Sequence, residues 1–213
     1  MLVQNAKAVI EEQIRCMNNL SVFLDENSEK YEQMMDSILN TVFGSRMYSN
    51  RVVITGVGKN ANLAAKASET FASLGVPSLY LNTCHYAHGD AGFIGYSDVV
   101  IHVSRSGKTE EMQGMARHLR GIRPEVKQIL LSCNDNLPEE MKEPFDFVMN
   151  VPGVVECDEN KLAPTSSTTV LLALLDTIGI NLSKEIGFTR QDFLTYHPGG
   201  SLGQMIRENR STI

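Results

Sequence analysis

Three side-chain hydroxyls surround a glycine in the run Ser104-Arg105-Ser106-Gly107-Lys108-Thr109-Glu110-Glu111. Where such a loop opens a helix it makes a monophosphate cradle. Backbone N–H groups and the helix dipole favour the anion, while Ser104, Ser106 and Thr109 supply short hydrogen bonds. Simple N-capping would explain one of these hydroxyls but not all of them. Gly-Lys-Thr suggests a nucleotide loop, but the first glycine of G-x-x-x-x-G-K-T would fall on His102, so the P-loop geometry is absent. A second cluster, Thr165-Ser166-Ser167-Thr168-Thr169, precedes an apolar helical run over 170–180. One hydroxyl caps that helix, and the excess again suggests an anion, so the two clusters could converge on one phosphate.

Gly56-Val57-Gly58-Lys59-Asn60-Ala61 reads as G-x-G-x-x-A. A dinucleotide site also needs an acid about twenty residues further on, and Leu79-Tyr80-Leu81-Asn82-Thr83 ends without one. What remains is a tight loop, with Gly58 allowing close backbone approach and Lys59 and Asn60 at its mouth. Histidines stand in Cys84-His85-Tyr86-Ala87-His88-Gly89-Asp90 and in Tyr196-His197-Pro198-Gly199-Gly200. His88 and His197, in glycine-bearing loops, are candidates for proton transfer near neutral pH. His102, inside an apolar strand, reads as structural. Cys84, His85, His88 and Asp90 could ligate a metal, but no further partner is visible, and neither metal nor cofactor is expected.

The elements that must carry these loops alternate along the chain. Short apolar runs at 52–55, 79–81, 99–103, 128–132 and 147–151 read as buried strands, and 62–74, 110–120 and 168–184 as the helices between them. Gly75–Pro77 stops the first of these helices. This alternation predicts right-handed crossovers and a parallel sheet, with ligands bound where strands end and helices begin. Ahead of the sheet, Tyr31, Met34, Met35, Ile38, Leu39, Val42 and Phe43 trace one helix face, with Ser28 to cap its start and Gly44 its end. An earlier helix over 5–24 carries Val9, Ile10, Ile14, Met17 and Leu20 on one side. Internal packing is the first reading of both stripes and a dimer seam the second.

The chain of 213 residues is 42% hydrophobic and 21% charged, with a formal charge of -6, so a nucleic-acid partner is not expected. Its apolar runs look strand-sized, its N-terminus does not resemble a signal peptide, and no membrane span is expected. Four widely separated cysteines without a C-x-x-C pair read as reduced thiols of a cytoplasmic protein. One domain over 1–213 is expected, comprising N-terminal helices over 1–48 and an α/β core over 49–213.

Taken in order, Gly56-Val57-Gly58-Lys59, His88-Gly89-Asp90, the 104–111 run, the stretch from Leu162 to Thr169 and His197-Pro198-Gly199-Gly200-Ser201-Leu202-Gly203 are recognisable. The chain resembles a sugar isomerase (SIS) domain, and specifically the arabinose 5-phosphate isomerase family. The resemblance implies a three-layer α/β sandwich with a five-stranded parallel, flavodoxin-like sheet. It implies aldose–ketose isomerisation of a sugar phosphate of the arabinose 5-phosphate/ribulose 5-phosphate type through an enediol. Non-catalytic sensing of a sugar phosphate or sugar nucleotide, or isomerisation of another phosphosugar, are the alternatives.

The positions matching the family's catalytic set are Lys59, Glu111, Glu156 and His197, with His88 close by. Substrate would lie against Gly58, Asn60 and His85. Its phosphate would sit on Ser104, Ser106 and Thr109 and on the segment of Thr165, Ser166 and Ser167. Shared sites in a homotetramer are also implied. The chain departs from the family where Asn60-Ala61-Asn62 replaces Ser-Gly-His, where His85 stands for a frequent Glu, and at Lys108. It resembles the family's short, SIS-only branch.

Overall fold

The computed structural model describes residues 1–44, 50–199 and Gly203. The expected ends of the N-terminal pair over 45–48, and Gly200, Ser201 and Leu202 of the last motif, lie outside the described residues.

Two helices come first, α1 (Leu2–Glu26) and α2 (Ser28–Phe43). Then follow β1 (Val52–Gly56), α3 (Lys59–Ser73), β2 (Ser78–Asn82), β3 (Val99–Val103) and α4 (Glu110–Ile122). The chain closes with β4 (Lys127–Ser132), β5 (Phe147–Asn150), α5 (Ser166–Glu185) and α6 (Arg190–Tyr196). All strand pairs are parallel, in the order β2-β1-β3-β4-β5. The expected three-layer, flavodoxin-like sandwich is therefore the observed one.

Period-two alternation in the strands sorts the core into layers. Val52, Ile54, Val99, Ile101, Ile129 and Leu131 pack with buried residues of α1, α2, α3 and α5. Val53, Val100 and Leu81 face the other way, towards Met115 and Leu119 of α4, as Leu130 does towards Met112 and Ala116. Because both faces are covered, β1 and β3 are buried at every position, which is why they read as continuous apolar runs.

Several expectations need correction. The α1 stripe of Val9, Ile10, Ile14, Met17 and Leu20 packs internally only at its C-terminal end: Leu20 is buried and Met17 lies against the core, whereas Val9, Ile10 and Ile14 are exposed, Ile10 by 57%. Ser28 is the first residue of α2 rather than its cap, and Asn27 precedes it without a capping side-chain bond. The Asn27 amide instead donates to the Phe23 carbonyl at the end of α1 (2.8 Å). The apolar runs are not all strand-sized, since α5 is long and apolar enough to match a membrane span by length and composition. More than half of that stretch is buried inside the sandwich, as expected of a core helix. Helix α6 went unexpected; its signal was the capping box Thr189-x-x-Asp192, in which each side chain bonds the other residue's backbone.

His102 is wholly buried in β3. One ring nitrogen pairs with Gln128 Oε1 at 3.0 Å, and the Gln128 amide donates to the carbonyls of Ala116 and Pro144. Burial pushes the imidazole down to about 4, the Gln128 bond opposing only in part. Below about pH 6.5 the unfolded chain takes up a proton here that the folded chain refuses. Stability should thus fall by about 3 kcal/mol as pH drops from about 6.5 to about 4. Urea unfolding across this range should show the slope, and His102→Gln should flatten it. An equally steep variant would assign the acid lability to other groups.

Candidate active site

The strand order reverses between β1 and β3, so the loops after these two strands diverge and leave a crevice. Gly58 turns the chain out of β1 with φ +61, a backbone that favours glycine. Lys59 then begins α3, so Lys59 and Asn60 are helical residues at the first turn rather than loop residues. Lys59 is exposed there. Thr55 and Thr83 tie the ends of β1 and β2 together: their hydroxyls lie 2.7 Å apart, and they donate to the Leu81 and Gly56 carbonyls. Past β2, His85 precedes and His88 ends a short 3-10 turn, and both are exposed. His85 Nδ1 lies 4.0 Å from Asp90 Oδ2, a contact on the surface. Among the described residues no three His, Cys, Asp or Glu side chains gather as metal ligands.

The loop after β3 is the best-built part of the crevice. Ser104 is buried, its hydroxyl 2.9 Å from that of Thr109 and accepting from the Gly107 N–H at 3.1 Å. Ser106 Oγ accepts from the Lys108 N–H at 3.1 Å. Gly107 has φ +64, a backbone that favours glycine, and a Cβ there would also crowd the tip of the Leu137 side chain at 2.7 Å. Below the loop, Asn134 donates to the Ser106 carbonyl and Gln113 to that of Gly107 (both 2.6 Å). Thr109 occupies the N-cap of α4 yet makes no capping bond, its hydroxyl being turned to Ser104. The first N–H groups of α4 are therefore left for an outside acceptor. Glu111, in that first turn, is exposed and has no hydrogen-bond or ion-pair partner among the described residues.

The second hydroxyl cluster is arranged differently. Glu156 is buried and takes the N–H and hydroxyl of Thr165 (2.8 and 3.1 Å) and the N–H and hydroxyl of Ser167 (3.3 and 2.5 Å). Ser166 Oγ lies 3.0 Å from Cys157 Sγ. The anion at the start of α5 is thus the chain's own carboxylate. Burial alone would raise the Glu156 pKa, but the bonds from Ser167 and Thr165 outweigh it and hold the group below the ordinary carboxylate value. Arg105 joins the two clusters as an ion pair: its Nε lies 3.0 Å from Glu156 Oε1, although its N–H is not aligned there as a hydrogen bond. The residue reading missed Arg105; its only signal was a cation inside the hydroxyl run.

His197 is not brought to the crevice of its own protomer. It follows α6, stacks on Phe193, and directs Nε2 to Ser73 Oγ at 3.2 Å. Ser73 ends the helix that Lys59 begins. At a rise of about 1.5 Å per residue those two positions are about 21 Å apart.

Ser106→Ala should weaken binding of inorganic phosphate at this loop by about 1–3 kcal/mol, the loss for a charge-assisted hydrogen bond. Calorimetry showing unchanged affinity would reduce the hydroxyl to the turn contact it makes with Lys108.

No family model matches the chain. Two curated relatives are the Escherichia coli protein named arabinose 5-phosphate isomerase KpsF, 32% identical over 96% of this chain and 59% of its own length, and the Shigella flexneri protein named arabinose 5-phosphate isomerase KdsD, 32% identical over 95% and 58%. The chain spans about three fifths of the length of these two relatives. Among solved structures, Escherichia coli CFT073 c3406 in complex with arabinose 5-phosphate superposes with a TM-score of 0.80 at 28% identity, covering 92% of this chain and 97% of the other.

Proposed function

From homology that runs across nearly the whole chain to proteins named arabinose 5-phosphate isomerase, we propose that this protein interconverts an aldose phosphate and its ketose, of the arabinose 5-phosphate/ribulose 5-phosphate type. The reaction moves a proton between C1 and C2 through an enediolate, so it needs a base, a donor for the developing oxyanion and a fixed hold on the phosphate. The single observation that carries the reading is the β3–α4 turn, where Thr109 leaves the helix uncapped and faces Ser104 across a glycine. A phosphate bound there would lie at the mouth of the β1/β3 crevice. Glu111 stands one residue into α4 and serves as base; Lys59, across the switch point, stabilises the oxyanion. Gly58, Asn60 and His85 hold the sugar, and His88 handles its hydroxyls or ring opening together with His197.

A coupled assay over pentose, hexose and heptose phosphates tests this. Turnover of arabinose 5-phosphate is the expected result. Tight binding without turnover would replace the enzyme by a sensor, and preference for a hexulose or heptose phosphate would move the substrate but keep the chemistry.

We further propose a homo-oligomer, a tetramer, with sites shared between subunits. Two observations support it. Leu2, Val3, Val9, Ile10 and Ile14 leave an apolar stripe of α1 uncovered in the protomer, where burial against a second copy would stabilise by about 25 cal/mol per Å². His197 lies at the wrong end of α3 to serve the Lys59 of its own chain. A cytoplasmic setting fits the free cysteines; burial, helped by the charges of Glu156 and other neighbours, pushes Cys133 up to about 12 and keeps that thiol inert.

A further inference from the structure

Glu156 matches a catalytic position of the resembled family, yet its surroundings suit another task. A general base needs a lone pair directed at the substrate and a pKa near the working pH. Here Oε2 accepts from Thr165 N, Thr165 Oγ1 and Ser167 N, while Oε1 accepts from Ser167 Oγ and faces Arg105 Nε. The carboxylate is committed on both oxygens, buried, and held below its ordinary pKa. It neutralises the start of α5 from within.

The other end of the link is Arg105, second residue of the phosphate-cradling loop. Its carbonyl accepts from Cys133 N at 3.0 Å, and the next carbonyl, of Ser106, accepts from Asn134. The loop is thereby tied to the end of β4 through its backbone and to α5 through the Arg105 side chain. That side chain is 43% exposed, against none for Glu156. A guanidinium can face a carboxylate with Nε and still turn its terminal N–H groups to a phosphate, which an ammonium cannot do in the same geometry.

Building on the function proposed above, we propose that Arg105 is a phosphosugar-binding residue and that Glu156 is the positioning residue that aims it, not the proton acceptor. The buried carboxylate would set the guanidinium and, through it, the shape of the 104–109 loop.

The test measures kcat, KM and the pH–rate profile on arabinose 5-phosphate for Arg105→Ala, Arg105→Lys, Glu156→Gln and the double variant Arg105→Ala/Glu156→Gln. Calorimetry with inorganic phosphate and thermal melts of each variant run alongside. Each alanine or glutamine change should raise KM by about tenfold or more, lower kcat by a smaller factor and leave the acid limb of the profile in place. The double variant should be little worse than the weaker single, because both cut one link. Arg105→Lys should recover only part of the affinity. A hundredfold fall in kcat for Glu156→Gln at unchanged KM, with the acid limb gone, would make Glu156 the base and overturn the proposal. So would phosphate affinity in Arg105→Ala equal to that of the parent. If Glu156→Gln does not fold, Arg105→Ala, at a half-exposed side chain, decides alone. A parent that turns over no sugar phosphate would refute the isomerase reading, while the phosphate affinities would still judge Arg105.

Discussion

Glu111→Gln should turn over arabinose 5-phosphate about a hundredfold more slowly than the parent, or worse, with only a modest change in KM. The substitution keeps shape and volume and removes the one function a base needs. Between the two carboxylates expected near the sugar, geometry separates the roles. Glu156 is enclosed, its oxygens hydrogen-bonded by Thr165 and Ser167 and faced by the Arg105 cation. Glu111 stands exposed in the first turn of α4, with no partner among the described residues to compete with a sugar proton. Proximity to the loop adds to this: Thr109 and Glu111 are two residues apart, so the proposed phosphate ligand and the proposed base would move as one rigid piece. Single-turnover kinetics check the step directly. A Glu111→Gln enzyme with full kcat would return the base to Glu156 or to a histidine, and would also weaken the positioning role assigned to Glu156.

The sheet was legible in the sequence because doubly covered parallel strands leave unbroken apolar runs, as Val99 to Val103 do, and because glycines mark the loops that follow them. Ser104, Ser106 and Thr109 could be placed together since one short loop carries them all. What could not be read was anything set by distance in space. The hydroxyls at the start of α5 look alike in sequence whether they await a ligand or already hold Glu156, nine residues before Thr165. Arg105 gives no sign of its partner for the same reason. The stripe on α1 shows a helical period, but periodicity says which face is apolar and not what covers it. Cys16, Leu20 and Phe23 meet the sandwich, whereas Ile10 and Ile14 are turned well round the helix from that face and stay exposed. An apolar flank turned away from the sandwich is left for another surface.

His197 offers the sharpest consequence of that surface. The ring sits beside Ser73, about 21 Å along α3 from Lys59 at about 1.5 Å per residue. Held in this place, it would take part in the same reaction through the site of a neighbouring subunit. Lys59→Ala and His197→Ala should then each be nearly inactive alone, yet active when mixed. In randomly reassembled hybrids a working site needs an intact Lys59 from one subunit and an intact His197 from another. Each condition is met half the time, so an equal mixture should recover about a quarter of parental activity in a symmetric assembly. Unfolding and refolding the two variants together, against each refolded alone, makes the measurement. Size-exclusion chromatography with light scattering confirms that the hybrids keep the parental size. Should the mixture stay as inactive as its components, His197 and Lys59 act within one chain, and α6 must swing from Ser73 to reach the crevice. Should His197→Ala alone retain full activity, the ring is only a packing partner of Phe193, and proton transfer falls to His88.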